Sequence, residues 1–466
     1  MTFRPTANLR KMSLSQLGHP CPEAGGRSRT KRPRAALDRW KILRDLLVDA
    51  WSNPDQDRDE VGRRHLEALS PLERDLIRRM FLNALRVLPI PPDVRADLEG
   101  RTVTFDAEEA GVSTGVYLTL SLEHPDGAME HIRLKTGRSS TTSDEAAVLW
   151  RSADDGESFS DLMAWPGEVE PITPPSDLEQ RLHCLVEEAP VLHRSGVRPG
   201  PACVWCERSA LCGAFPADRV VPTNARTISL TKTDIEDVER CQRRVAWRRV
   251  HGVPRDDGDE VEAAAPLSQG RLFHALVAAA EEADDPEAAA ADFLGGVPPS
   301  ELADLQTMWE RHRSLLESEG LSVRATEFPI GATLLEGERA ETRGVTVIGF
   351  VDLTARDAAA APVAVELKTG GYGETGIEDD LYTIGMGRWI DPDRPIVIHR
   401  HYVRQDPPQC EVVMVSPGER SAAYHRLRQR VSVAHSWDWE DPLQPPYSVG
   451  PWCGGCEYRL TCESYR

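Results

Sequence analysis

The sequence predicts an α/β chain built from two tandem units, and three observations carry that reading. The tetrapeptide Leu-Lys-Thr-Gly occurs at 134–137 and again at 367–370, each time closing an apolar run of strand character. The cysteine pattern C-x2-C-x5-C occurs as Cys203, Cys206, Cys212 and as Cys453, Cys456, Cys462. One isolated cysteine opens each copy, Cys21 in the first and Cys241 in the second. Landmarks that recur in the same order mark an internal repeat. The repeat divides the chain into residues 1–219 and 220–466, with the Pro-containing stretch Gly213 to Asn224 between them.

In the first unit, Leu37, Trp40, Leu43, Leu47 and Trp51 recur at helical spacing and form a core stripe. Across its start, Arg27 to Arg44 carries eight basic residues against one acidic, Asp38. Such a run is either a phosphate-contacting arm or a solvated basic tail. Gly115-Val116-Tyr117-Leu118 and His131-Ile132-Arg133 read as strands leading to the first Leu-Lys-Thr-Gly. In the second unit, Thr227 to Leu230 opens a strand, and the acidic, alanine-rich stretch Arg255 to Pro266 reads as a loop. Gln269 to Ala283 is an amphipathic helix with Leu272, Phe273, Leu276 and Val277 on one face. Val345–Leu353 and Val363–Lys368 are paired strands joined by the turn Ala355 to Pro362.

With 466 residues, 40% hydrophobic and 28% charged, the chain can bury two sizeable cores and has a globular composition. The 55 basic and 75 acidic residues leave a net charge of −20, which argues against a histone-like nucleic-acid coat and leaves room for a local basic channel. No stretch approaches the roughly 18 consecutive apolar residues of a membrane span. Met1 to Gly18 lacks the apolar core of a signal peptide, so a cytoplasmic protein is expected. Its ten cysteines then read as metal ligands or buried thiols rather than disulfides, Cys184 and Cys410 among the buried thiols. No G-x-x-x-x-G-K-[ST] loop occurs, which excludes ATP hydrolysis by that route.

Only six of the basic residues are lysines, Lys11, Lys31, Lys41, Lys135, Lys232 and Lys368. Where any cation would serve, this chain uses arginine, so a lysine invites a chemical reason. Glu366 and Lys368 stand two apart in a strand and leave the same face. The preceding turn folds the strand of Asp352 alongside, so Asp352 and Glu366 converge with the lysine beside them. Two carboxylates are the least that a hard Mg²⁺ site requires, and an adjacent ammonium can orient a water and stabilise charge on phosphorus. Glu-x-Lys alone is as readily a strand-edge charge pair. The glycine-led Asp352 strand and the scarcity of lysine favour the metal site.

Gly349-x-x-Asp352 followed by Glu366-x-Lys368 resembles the core motif of the PD-(D/E)XK nuclease superfamily. The C-terminal C-x2-C-x5-C with one distant upstream cysteine is similar to its RecB-like, iron–sulfur-bearing branch, which includes the CRISPR-associated RecB-like exonucleases and AddB-type nuclease domains. The resemblance spans Ser229 to Cys462. It implies two tandem restriction-endonuclease-like domains, each a central mixed sheet flanked by helices. It implies Mg²⁺ or Mn²⁺ held by Asp352, Glu366, the carbonyl of Leu367 and His274, the last in Gly270-Arg271-Leu272-Phe273-His274. Catalysis would rest on Asp352, Glu366 and Lys368, with DNA (single strands or duplex ends) as substrate and a separate helicase or other DNA-processing subunit as partner. The family's Gln-x-x-x-Tyr helix has no glutamine here, which leaves Tyr382 as a substrate contact or a packed aromatic. In the first unit, Leu118 stands for Asp352 and Arg133 for Glu366, so that copy is expected to be catalytically dead.

A C-x2-C turn directs two sulfurs to one centre, and a tetrahedral zinc or a cubane cluster needs four thiolates. Cys241 completes the set with Cys453, Cys456 and Cys462; Cys21 completes a second with Cys203, Cys206 and Cys212. The resemblance favours a 4Fe–4S cluster over zinc. Two functions follow for test: a metal-dependent deoxyribonuclease, or a catalytically idle nucleic-acid-binding or scaffolding iron–sulfur subunit.

Overall fold

The computed structural model describes residues 10–11, 34–53, 55, 57–91, 93–107, 112–137, 141–188, 203, 206, 209–210, 214–222, 225–256, 265–337, 342–370, 376–387, 390, 393–459 and 461–463. Cys21, Cys212 and Arg27 to Pro33 of the basic arm lie outside the described residues. The chain packs as two compact units: one of Met1–Arg198, Arg243–Asp257 and Asp438–Arg466, the other of Pro199–Gln242 and Gly258–Trp437. The sequence division at 219/220 is a division by repeat, whereas this division by packing interleaves. Its cause is apolar burial: Cys203, Ala214 and Phe215 cluster with Ile348 in the second unit. In the first unit, Trp247 and Tyr458 meet edge to face at 5.5 Å within one core that also holds Leu43, Leu76 and Phe81.

After the short strand Arg10–Lys11, the first unit contains α1 (Arg34–Ser52), α2 (Arg58–Leu66) and α3 (Pro71–Val87). Ser70 caps α3 by accepting from the Glu73 N–H at 3.3 Å, and Pro71 fits the first turn, where no N–H is needed. There follow β1 (Arg95–Asp97), β2 (Arg101–Ala107), β3 (Val112–Leu118), β4 (Leu120–Glu123), β5 (Met129–Lys135), α4 (Ser143–Arg151), β6 (Glu157–Met163) and β7 (Glu168–Pro171). The main sheet runs β1-β4-β5-β6-β7. Only β5 and β6 are parallel in it, because α4, closed by a capping box of Thr142 and Glu145, lies between them and returns the chain in the same direction.

The second unit contains β8 (Arg226–Thr231), α5 (Lys232–Arg240), α6 (Ala265–Glu281), α7 (Pro286–Gly295), α8 (Pro299–Ser318), β9 (Ser322–Glu336), β10 (Arg343–Arg356), β11 (Pro362–Lys368), α9 (Gly376–Met386), β12 (Ile396–Tyr402), β13 (Gln409–Val415) and α10 (Glu419–Ser436). Its sheet runs β9-β10-β11-β12-β13, with β8 parallel to β10. The expected hairpin is present as the antiparallel pair β10/β11, Leu353 opposite Val365; β11 and β12 are parallel, with α9 between them in sequence. One face of the sheet is apolar: Phe273, Leu276, Val277 and Trp309 of α6 and α8 pack on Leu353, Val365 and Leu367. At Gly385 a Cβ would meet Ile330 Cβ at 2.4 Å, so only glycine lets α9 lie this close to β9. Among the described residues, no helix is long and apolar enough to cross a membrane.

Arg39 ties the first unit together. It is 2% exposed and donates to Glu73 at 2.6 Å and to the carbonyls of His251 and Gly252 at 2.5 and 2.7 Å. Truncation would leave a partly buried carboxylate and two carbonyls without their shared donor. Arg39→Ala should therefore destabilise the chain by about 3 kcal/mol, read as a lower urea midpoint for the first unfolding transition; an unchanged midpoint would show that the bonds are dispensable.

Candidate active site

The pleat brings the predicted residues of the second unit to one face. Glu366 and Lys368 stand opposite Arg400 and Tyr402 of β12 in register, while Val365 and Leu367 turn to the helices. Asp352, on β10, accepts the Leu367 N–H through Oδ2 at 2.7 Å, which fixes the carboxylate against the neighbouring strand. Its Oδ1 lies 3.2 Å from Nδ1 of His274 on α6. Gly270, one turn before His274, allows that helix to approach, since a Cβ there would lie 3.0 Å from Thr369 Oγ1. Burial alone would hold His274 down, but the hydrogen bond and charge of Asp352 outweigh it and raise its pKa above the ordinary value.

Glu366 is 3% exposed. Burial raises its pKa, opposed by the adjacent Lys368. One of its oxygens accepts from Lys368; the other, Oε2, is buried with no hydrogen-bond partner among the described residues and lies 3.4 Å from Arg400 Nε. Lys368 also donates to Glu378 at 2.9 Å, and Glu378, in the first turn of α9, accepts in turn from Lys232. Arg400 pairs further with Asp379 and, at 3.2 Å, with Glu411. Two carboxylates and an imidazole are donors that a hard divalent ion accepts; Asp352 pairs with His274, and its charge acts on Glu366. Tyr382 is 3% exposed and its hydroxyl donates to the Phe350 carbonyl at 3.5 Å.

Sequence reasoning did not find Glu378, Arg400 and Lys232. Two of them had a signal. Lys232 is one of the six lysines, and Glu378 follows Lys368 at the interval by which Glu145 follows Lys135. Arg400 had none, because its proximity depends on the parallel pairing of β11 with β12.

The first unit has the same pairing pattern and different chemistry. Leu120 stands opposite Ile132 as Leu353 stands opposite Val365, so the residue in the place of Asp352 is Thr119, not Leu118 as the glycine spacing suggested. The correction has a direct sign: Thr119 Oγ1 accepts the Leu134 N–H at 2.9 Å, as Asp352 accepts that of Leu367. Leu118 is buried in a separate apolar cluster. Arg133 stands opposite Asp161, reversing the order of Glu366 and Arg400, and grips Glu145 with both ends of its fork at 2.9 and 3.2 Å. Lys135 lies 3.9 Å from Glu145. The Leu134 carbonyl accepts from Trp40 Nε1 at 3.0 Å.

Every described cysteine is a thiol. Cys206 N–H donates to the Cys203 carbonyl and Cys456 N–H to that of Cys453, both at 3.2 Å, so each C-x2-C forms the same tight turn. Cys453, Cys456 and Cys462 belong to the first packing unit; Cys203, Cys206 and Cys241 belong to the second. Cys184, expected to be buried, is exposed, because Leu182 takes the inward side of its helix.

The family model of the PD-(D/E)XK nuclease superfamily matches residues 229–463. No curated protein matches the chain. The crystal structure of SSO0001 is similar at 12% identity over 53% of this chain and 90% of that one, with a TM-score of 0.22.

The His274–Asp352 pair gives a pH test on metal-free protein. Because the folded pKa of His274 is raised above 6.5, the pair contributes stability that is complete below that pH and fades as pH rises through the folded value. An NMR titration should place His274 above 6.5 in the unaltered chain and lower in Asp352→Asn, which removes the hydrogen bond and the charge that oppose burial. Identical titrations would dissociate the two residues.

Proposed function

Because the chain belongs to the PD-(D/E)XK nuclease superfamily, we propose that its second unit is a metal-dependent deoxyribonuclease of the RecB-like iron–sulfur type, working in the cytoplasm. One observation carries the reading: Asp352 pairs with His274 at 3.2 Å and accepts the Leu367 N–H beside Glu366, whose Oε2 is buried with no hydrogen bond among the described residues. His274, Asp352, Glu366 and the Leu367 carbonyl would hold Mg²⁺ or Mn²⁺, which when bound acidifies a water and neutralises phosphate charge. His274 must lose the proton it shares with Asp352 before its Nδ1 is a ligand. The Leu367 N–H keeps Asp352 from rotating away. Lys368, held by Glu366 and Glu378, orients the attacking water and faces the phosphate as charge develops. Tyr382, enclosed beside these acids, is assigned packing rather than contact with DNA.

The first unit is proposed to be a degenerate copy. Thr119 and Arg133 replace the two carboxylates, and Trp40 occupies the carbonyl that a metal would use. A guanidinium and an ammonium would repel a divalent ion, which favours a binding or scaffolding role for this unit. For the cysteines, a 4Fe–4S cluster on Cys453, Cys456 and Cys462, with Cys241 as the fourth thiolate expected from the sequence, is the first proposal. A second on Cys21, Cys203, Cys206 and Cys212 is the lesser one. Lacking a Walker loop, the chain would act on DNA single strands, or on duplex ends opened by a separate helicase subunit.

Asp352→Ala, Glu366→Ala and Lys368→Ala should each reduce cleavage of labelled DNA by about 100-fold or more, while Lys135→Ala leaves the rate within about twofold. Wild-type cleavage by Lys368→Ala would sink the assignment. Anaerobic iron and sulfide analysis should give about four irons per chain for one cubane cluster and about eight for two; zinc without sulfide would overturn the cluster.

A further inference from the structure

The face of the second unit's sheet away from Glu366 and Lys368 carries a second constellation of metal-binding groups. His399 and His401 alternate along β12, and Cys410 on β13 stands directly opposite His401. Their ligand atoms all lie within 4.8 Å of one another, and Cys410 Sγ is 3.5 Å from His399 Nδ1. His401 is 0% exposed, and neither of its ring nitrogens has a hydrogen-bond partner among the described residues. A buried polar group left unpaired costs about 1–3 kcal/mol, and a metal ion on a ring nitrogen would offset that cost. Glu319, just past the end of α8, brings Oε2 to 4.0 Å from His399 Nδ1.

From this geometry we infer that His399, His401 and Cys410 form a transition-metal site of the zinc class, with Glu319 or a water in the fourth position. Two imidazole nitrogens and one sulfur are a borderline-soft donor set that suits tetrahedral Zn²⁺ and does not suit Mg²⁺. The ion would join the last two strands of the sheet to the end of α8. It is separated from the catalytic groups by the pleat itself, because residues 366, 368 and 400 leave the opposite face from 399 and 401. Its role is to hold the sheet edge, so it takes no part in phosphodiester cleavage.

The test uses the full-length chain, stripped with chelator and reloaded with zinc alone. Native mass spectrometry should show one zinc fewer in Cys410→Ser and in His399→Asn than in the unaltered chain. Zinc carried by other cysteines appears in all three and cancels. The zinc-dependent rise in melting temperature should be lost in both variants, while Mg²⁺-dependent cleavage persists. Equal zinc counts in the three proteins overturn the site. In the unaltered chain, zinc should also shield Cys410 from alkylation, as mapped by peptide mass; equal labelling with and without zinc overturns the inference even if neither variant folds. Because zinc count and alkylation are read without any cleavage assay, failure here is distinguishable from failure of the nuclease reading.

Discussion

A carboxylate buried in a sheet must be neutralised where it sits, since water cannot reach it and the interior screens charge poorly. Glu366 imposes that requirement on the second unit. Lys368 answers it from two residues along the same strand, and Arg400 from the next strand. Both cations then need acids of their own, which Glu378, Asp379 and Glu411 supply, and Glu378 draws in Lys232. The result is an alternating lattice of charge around one unsatisfied oxygen. Burial raises the Glu366 pKa, and the charges of Lys368 and Arg400 oppose that rise.

The first unit meets the same constraint with the signs exchanged. Arg133 holds the acid's position and Asp161 the arginine's, and Glu145 closes the charge with a forked pair. Thr119 keeps the one bond that locks the two strands, the acceptance of the Leu134 N–H, and gives up the negative charge. A site of this kind is complete without a metal. Its strand pairing follows that of the second unit while its charges differ.

The two-residue period of a strand also explains how one sheet serves two purposes. Glu366, Lys368 and Arg400 fall on the polar face. Val365 and Leu367 fall on the face that α6 and α8 cover, and the histidines of β12 fall there too. A helix laid over the apolar face therefore steadies the strands that present the carboxylates. His274 belongs to one of those helices and reaches Asp352 past Gly270, where the missing side chain makes room.

The strand-borne part of the site was legible from the residues. Glu366 and Lys368 share a face by periodicity alone, a short turn must bring Asp352 alongside, and His274 was legible only through the resemblance of its Gly-x-x-x-His context to the family's. The paired Leu-Lys-Thr-Gly and C-x2-C-x5-C elements were legible for the same reason: local spacing determines local geometry. Long-range pairing was not. Whether Leu118 or Thr119 takes the place of Asp352 depends on the break between β3 and β4, which puts the two strands in different sheets, and a one-residue difference changes which side chain sits in the site. Arg400 and the cluster of His399, His401 and Cys410 arise from strand neighbours distant in sequence. The interleaved packing of residues 243–257 and 438–466 with the first unit follows from where Trp247 and Tyr458 find apolar partners. Periodicity within a segment is a property of the chain, but which segments become neighbours is decided only when the whole chain buries its apolar surface.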